Sequence, residues 1–280
     1  RAADAGRDAG GAVKATAAIA VNVFRESVRD KVLYNLVLFA ILMIGASYAI
    51  GQLTAGQDVK IIKDLGLAAT SVFGLFIAVF IGIGLVSKEV ERRSIYSLLA
   101  KPVERWQLIV GKYAGLVLTL VVNIVIMAVA LYAVLAYLRW GIAPQIQQAW
   151  DAPALDPALL KAIYLIFVEL ALVTALALLF STFSTPMLSA AFTFGLTIVG
   201  QYSTDLRNFQ DVLDSPAAQA VARGIYWVLP NLGQFDIKSQ VVHGQPIAAR
   251  YLAGVSLYAV VYIAFLLVVS CTVFSRRDFK

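Results

Sequence analysis

Five stretches of this chain carry no charged side chain, and each is long enough to cross a bilayer as a helix. They are Val32–Gln57, Leu65–Ser87, Tyr113–Leu138, Leu170–Thr204 and Tyr251–Ser275. A helix needs about 20 apolar residues to span a hydrocarbon core of roughly 30 Å. A soluble domain ionises about a quarter of its residues. Here 14% are charged and 60% are hydrophobic, with a mean hydropathy of +0.80, so lipid is the solvent for much of the chain. The fourth stretch is too long for one crossing, and "STFSTP" (Ser181–Pro186) divides it. With Ala162–Glu169 added upstream, it predicts helices over 160–182 and 186–202. The sequence therefore predicts an all-α, polytopic integral membrane protein, a single domain over residues 1–280 with six spans.

Lys and Arg gather on the cytoplasmic side of membrane proteins. Arg25, Arg29 and Lys31 precede span 1, and Arg276, Arg277 and Lys280 follow span 6. Lys88, Arg92, Arg93, Lys101, Arg105 and Lys112 lie between spans 2 and 3. On the other side, Lys60, Lys63, Arg139, Lys161, Arg207, Arg223, Lys238 and Arg250 are offset by Asp58, Asp64, Asp151, Asp156, Asp205, Asp211, Asp214 and Asp236. This predicts both termini in the cytoplasm of a multi-pass protein of the plasma (inner) membrane. The net charge of +6 then reads as orientation and contact with membrane lipids, not as nucleic-acid binding.

Several chemistries are excluded by counting. Cys271 is the only cysteine and His243 the only histidine, so no internal disulfide and no His/Cys metal site can form, and no cofactor is implied. Gly111-Lys112 resembles the end of a nucleotide-binding loop, but that motif needs Gly where Trp106 stands and Ser or Thr where Tyr113 stands. There is no catalytic constellation, and the chain reads as a non-enzyme. No cleavable signal peptide is visible, and the missing initiator methionine predicts residues upstream of this numbering.

Outside the spans, residues 1–11, rich in Ala, Gly and Asp, read as a disordered tail. In 12–31, Val13, Ala17, Val21, Phe24 and Val28 recur at helical spacing opposite Arg25, Glu26, Arg29 and Asp30. This pattern fits an interfacial amphipathic helix or a cytosolic extension of span 1. The loop 203–250 is the long extracytoplasmic one. Ser215-Pro216 starts a helix there, "AAQAVARGIYWVL" follows, and Pro230 ends it. That helix is either re-entrant or an ordinary external helix. Trp140, Trp150, Tyr202, Tyr226 and Trp227 fit an aromatic belt at the same interface. Gly45, Ala46 and Ala49 would let span 1 approach another helix closely.

Glu169 is the one charged residue inside a span. It lies about 15 Å along span 4, near the midplane, where a bare carboxylate is costly. It reads as a substrate or proton contact, or as a hydrogen-bonded structural residue partnered by Asn123 at similar depth in span 3.

Most of the chain's clustered charge sits in "SKEVERRSIYSLLAKPVERWQLIVGK", Ser87–Lys112, with nine charged side chains. Helical spacing places Glu91, Ile95, Leu98 and Leu99 near one side and Arg92, Ser94 and Tyr96 around the others. Glu89 can pair with Arg92 or Arg93. Pro102 ends this helix, and Trp106 opens the helix that becomes span 3. An apolar ridge with flanking charge suits a docking surface for a cytosolic partner; a helix lying on anionic lipid is the other reading.

These residues resemble the permease subunit of ABC-2-type ATP-binding-cassette transporters, and within it the branch that accompanies nitrous-oxide reductase maturation. The resemblance rests on Glu89, Arg93-Ser94, Leu98-Leu99, Pro102, Arg105 and Gly111-Lys112, with Ser94 standing where Thr is usual. "VLPNLGQFDIK" (Val228–Lys238) and "FSRRDF" (Phe274–Phe279) are also similar to that branch. The resemblance implies that 88–105 is a coupling-helix loop seated on a separate ATPase subunit, through Glu89, Glu91, Arg92, Arg93, Ser94, Ile95, Leu98, Leu99, Pro102 and Arg105. It also implies a second permease copy, an identical chain or a close paralogue, and an export function driven by ATP hydrolysed in the partner. Two other functions compete: an ATP-independent secondary transporter using Glu169, and a membrane anchor for a larger complex.

Overall fold

A computed structural model describes residues 2–53, 58–91, 104–148, 150, 152–203 and 229–276. Among them there is no strand. In chain order the helices are α1 (Ala2–Val28), α2 (Lys31–Gln52), α3 (Asp58–Glu91), α4 (Arg105–Gly141), α5 (Pro144–Gln147), α6 (Ala158–Phe183), α7 (Pro186–Gln201), α8 (Lys238–Val242) and α9 (Ala249–Arg276). A 3-10 turn, Gly233–Phe235, precedes α8.

Among the described residues, five helices, α2, α3, α4, α6 and α9, are long and apolar enough to cross a membrane. The predicted fifth crossing, α7, is shorter. Its 16 residues reach about 24 Å, less than a bilayer core. Pro186 fixes its start after an extended Thr185, and the segment from Asn231 packs over its far end, where Leu232 N–H donates to the Gly200 carbonyl at 3.0 Å.

α6 is the central column. Every position from Val168 to Leu178 is buried, and it packs against α3, α4, α7 and α9. Close packing of apolar side chains without hydrophobic contrast to lipid is what associates helices in a bilayer. By contrast α2 and α9 expose long apolar faces, including Leu38 and Leu42 on one and Leu257, Val261, Phe265 and Val268 on the other.

The N-terminal region departs from the sequence reading in two ways. Helix begins at Ala2, so residues 2–11 continue α1 where composition predicts a disordered tail. The alanines there favour helix enough to outweigh the glycines. Nor is α1 an extension of α2. Asp30 adopts extended backbone and its carboxylate caps α2, accepting from Val32 N–H at 3.0 Å.

Candidate functional site

α3 and α4 bracket the charged segment, and both outrun the membrane. They contain 34 and 37 residues, about 51 and 56 Å, against roughly 30 Å of hydrocarbon. Glu89 and Glu91 are in the last turn of α3, and Arg105 is the first residue of α4. Arg92, Arg93, Ser94, Ile95, Leu98, Leu99 and Pro102 lie outside the described residues. The start of α4 is fixed locally: Glu104 N–H donates to the Gln107 side-chain oxygen at 3.3 Å, and the Trp106 indole donates to the Glu104 carboxylate.

α1 runs alongside the first turns of α4. The approach depends on Gly111 and Gly115, one helical turn apart. A Cβ at Gly111 would lie 2.9 Å from Ile19 Cβ and 3.0 Å from the Thr16 carbonyl; one at Gly115 would lie 2.5 Å from the Ala20 carbonyl. Backbone therefore meets backbone, as small residues at four-residue spacing permit. Sequence reading took Gly111 for part of a motif and missed this packing; the four-residue spacing was the available signal.

Val23 and Ser27 of α1 are buried, with Thr16, Ile19 and Ala20 half-buried on the same side. The apolar stripe noted from sequence is a different face, roughly a third of a turn around. Val13, Ala17 and Val21 on it are exposed, and Phe24 and Val28 are half-buried. So α1 has three sectors: one on α4, one apolar and open, and one charged.

Beneath this contact a second apolar cluster ties five helices together. Val23 of α1, Ile109 and Leu116 of α4, Leu178 of α6 and Phe274 of α9 form it, with Ile81 of α3 packed against them. Nearby, the Tyr113 hydroxyl donates to the Ala171 carbonyl at 3.1 Å, joining α4 to α6. Displacing the base of α3 or α4 must disturb this node.

The two intramembrane polar residues do not pair. Asn123 is 4% exposed, and its amide donates at 2.7 Å to Thr119 of its own helix. Glu169 is 7% exposed, and the charges acting on it are Asp236 and Lys238. Those two form an ion pair at 3.5 Å. They belong to "VLPNLGQFDIK", whose Leu232, Phe235 and Ile237 are buried in the main core. The predicted helix after Ser215 lies outside the described residues, but the stretch following it does reach into the bundle.

Further ties fasten this end of the bundle. Lys63, fully buried and not the loop charge expected, donates to the Pro153 carbonyl at 2.8 Å. Lys161 donates to Ile247 at 3.1 Å, and the Tyr251 hydroxyl donates to Gln234 at 2.6 Å.

A family model of ABC-2 family transporter proteins matches residues 17–206. The chain belongs to the ABC-2 transporter family. The match runs from α1 through α7 and includes the charged segment; it ends before the buried stretch and α9. An ABC-2 protein is a transmembrane component of a transporter and is not itself catalytic, and such components usually work with an ATPase subunit. No curated protein matches this ABC-2 chain.

Proposed function

We propose that this ABC-2 protein is the permease subunit of an ABC exporter, driven by a separate ATPase. The observation that carries the reading is that α3 and α4, the helices on either side of the charged segment, are longer than a bilayer core and meet at a node shared by α1, α6 and α9. In this reading 88–105 is the coupling helix. Its Leu98–Leu99 ridge enters an apolar cleft of the ATPase, and Glu89, Arg92 and Arg93 set the register. ATP-driven closure of two ATPases would move the base of both helices, and the node would pass that movement to the spans.

Two permease copies make the transport path. Support comes from the apolar faces of α2 and α9 and from Gly45, whose surroundings are open. The mass of the detergent-solubilised complex tests this. Two permeases with two ATPases are expected; a lone permease without ATPase would count against the reading.

α7 supplies the sixth crossing together with the segment docked on its end, whose Leu232 N–H donates to the Gly200 carbonyl and so helps to satisfy backbone internally. Both termini then face the cytoplasm, and α1 turns its open apolar sector to the inner leaflet. In a Cys271→Ser background, an impermeant thiol reagent outside intact cells should label cysteine at Gln145 or Gln240, and not at Ser97. Labelling of Ser97 alone would invert the topology. Glu169 is read here as a buried structural residue rather than as a coupling carboxylate. The nearness to the nitrous-oxide reductase maturation branch rests on the three sequence stretches quoted for it.

A further inference from the structure

A cavity sits where α1 ends and α2 begins, against the inner half of α3. Its polar end is formed by Glu26, Ser27 and Asp30 at the elbow between the two helices. Its apolar wall is formed by Val32, Leu33 and Leu36 of α2 and by Ile77, Phe80 and Ile81 of α3. Leu36 and Ile77 lie further from the elbow along their helices than Val32 and Gly84, so polarity falls with depth. Val32 and Phe80 also stand exposed on the outer surface, so the cavity opens sideways toward lipid.

Ser27 points to an occupant. It is 5% exposed, lines the cavity, and its hydroxyl has no hydrogen-bond partner. A buried hydroxyl left without a partner is costly, and native structures rarely tolerate one. Beside it, Glu26 is exposed and also lines the cavity. The C-terminus of α1 adds partial negative charge at the same place. Arg25, Arg29 and Lys31 bracket these acids in sequence. The site thus offers acidic side chains for a cation, a hydroxyl for an acceptor oxygen, and an apolar slot for a chain.

We infer that this cavity binds the headgroup of an inner-leaflet phospholipid bearing a primary ammonium group. The ammonium donates to Glu26 and to the α1 terminus, the Ser27 hydroxyl donates to a phosphate or ester oxygen, and the first methylenes lie between Leu36 and Ile77. A quaternary ammonium has no N–H to donate, and a glycerol headgroup has no positive charge, so both fit less well. The inner-leaflet assignment rests on the topology proposed above, and the site does not depend on ATP coupling.

The test reconstitutes the full chain, with any co-purifying ATPase, in vesicles of equal phosphatidylethanolamine, phosphatidylcholine and phosphatidylglycerol. Lipids retained after mild extraction are then counted by native mass spectrometry. Phosphatidylethanolamine should be favoured by roughly tenfold, the discrimination one charge-assisted hydrogen bond supplies. Glu26→Gln should remove that preference. Ser27→Ala should lower retention; a hydroxyl without a ligand would leave retention unchanged and the protein no less stable. Gly84 lines the cavity and a Cβ there meets nothing within 4 Å, so Gly84→Leu should fill the slot and reduce retention of all three lipids without unfolding the protein. Equal retention of the three lipids by the wild type, or a preference untouched by both Glu26→Gln and Gly84→Leu, would overturn the inference. Displacement of the lipid by soluble phosphoethanolamine at equal concentration would overturn its lipid origin.

Discussion

Replacing Leu98 with aspartate is expected to release the ATPase while leaving the chain in the membrane. Leu98 is read as an apolar residue seated in the partner's cleft. Burying such a side chain contributes roughly 1.5–3 kcal/mol. The substitution loses that burial and also sets an unpaired carboxylate against apolar surface, which is costlier still. Arg92→Ala should be much milder, because an exposed ion pair contributes about 0–1 kcal/mol. Insertion should be normal in both variants, since neither touches a span. Co-purification and substrate-stimulated hydrolysis should be lost in the first and largely kept in the second. Wild-type values for Leu98→Asp would favour the other reading of the segment, a helix lying on anionic lipid.

Gly115→Leu should undock α1. Its new Cβ would sit 2.5 Å from the Ala20 carbonyl and 2.7 Å from Val23 Cβ, and the first of these is backbone that cannot rotate away. Overpacking of this kind costs about 1–3 kcal/mol. Leucine regains roughly 0.5–1 kcal/mol of helix propensity over glycine, which offsets only part of it. Gly195→Leu is the matched control, because nothing lies within 4 Å of a Cβ there. The thermal midpoint in detergent should fall for Gly115→Leu and stay level or rise for Gly195→Leu. The first variant should also lose ATPase stimulation, since Val23 would leave the node it shares with Ile109 and Phe274. Equal midpoints for the two variants would mean that α1 is not held on α4.

The spans were legible because charge is excluded from hydrocarbon, and a run such as Tyr113–Leu138 has few other folds open to it. The break at "STFSTP" was legible through Pro186. The length of α7 was not, because its end at Gln201 is set by a loop that returns from Asn231, a tertiary contact without local trace. The buried face of α1 misled for a related reason. Val13, Ala17 and Val21 form the stronger apolar pattern, yet α4 takes the side with Thr16, Ile19, Ala20 and Val23, where Gly111 and Gly115 of α4 allow closer approach. Depth suggested Asn123 as the partner of Glu169. A helix surface offers Asn123 its own Thr119 carbonyl first, and the charges near Glu169 come from a loop more than sixty residues on. Lys63 read as a loop charge because periodicity cannot show that Pro153 will come to meet it.

Photo-crosslinking from Leu98 bears most directly on where the ATPase sits. A benzophenone amino acid at that position, irradiated in membranes containing both subunits, should give an adduct with the mass of permease plus ATPase, and the same probe at Gln240 should not. Adducts from Leu98 to lipid alone, with the ATPase present and bound, would contradict the assignment of this segment as the coupling helix.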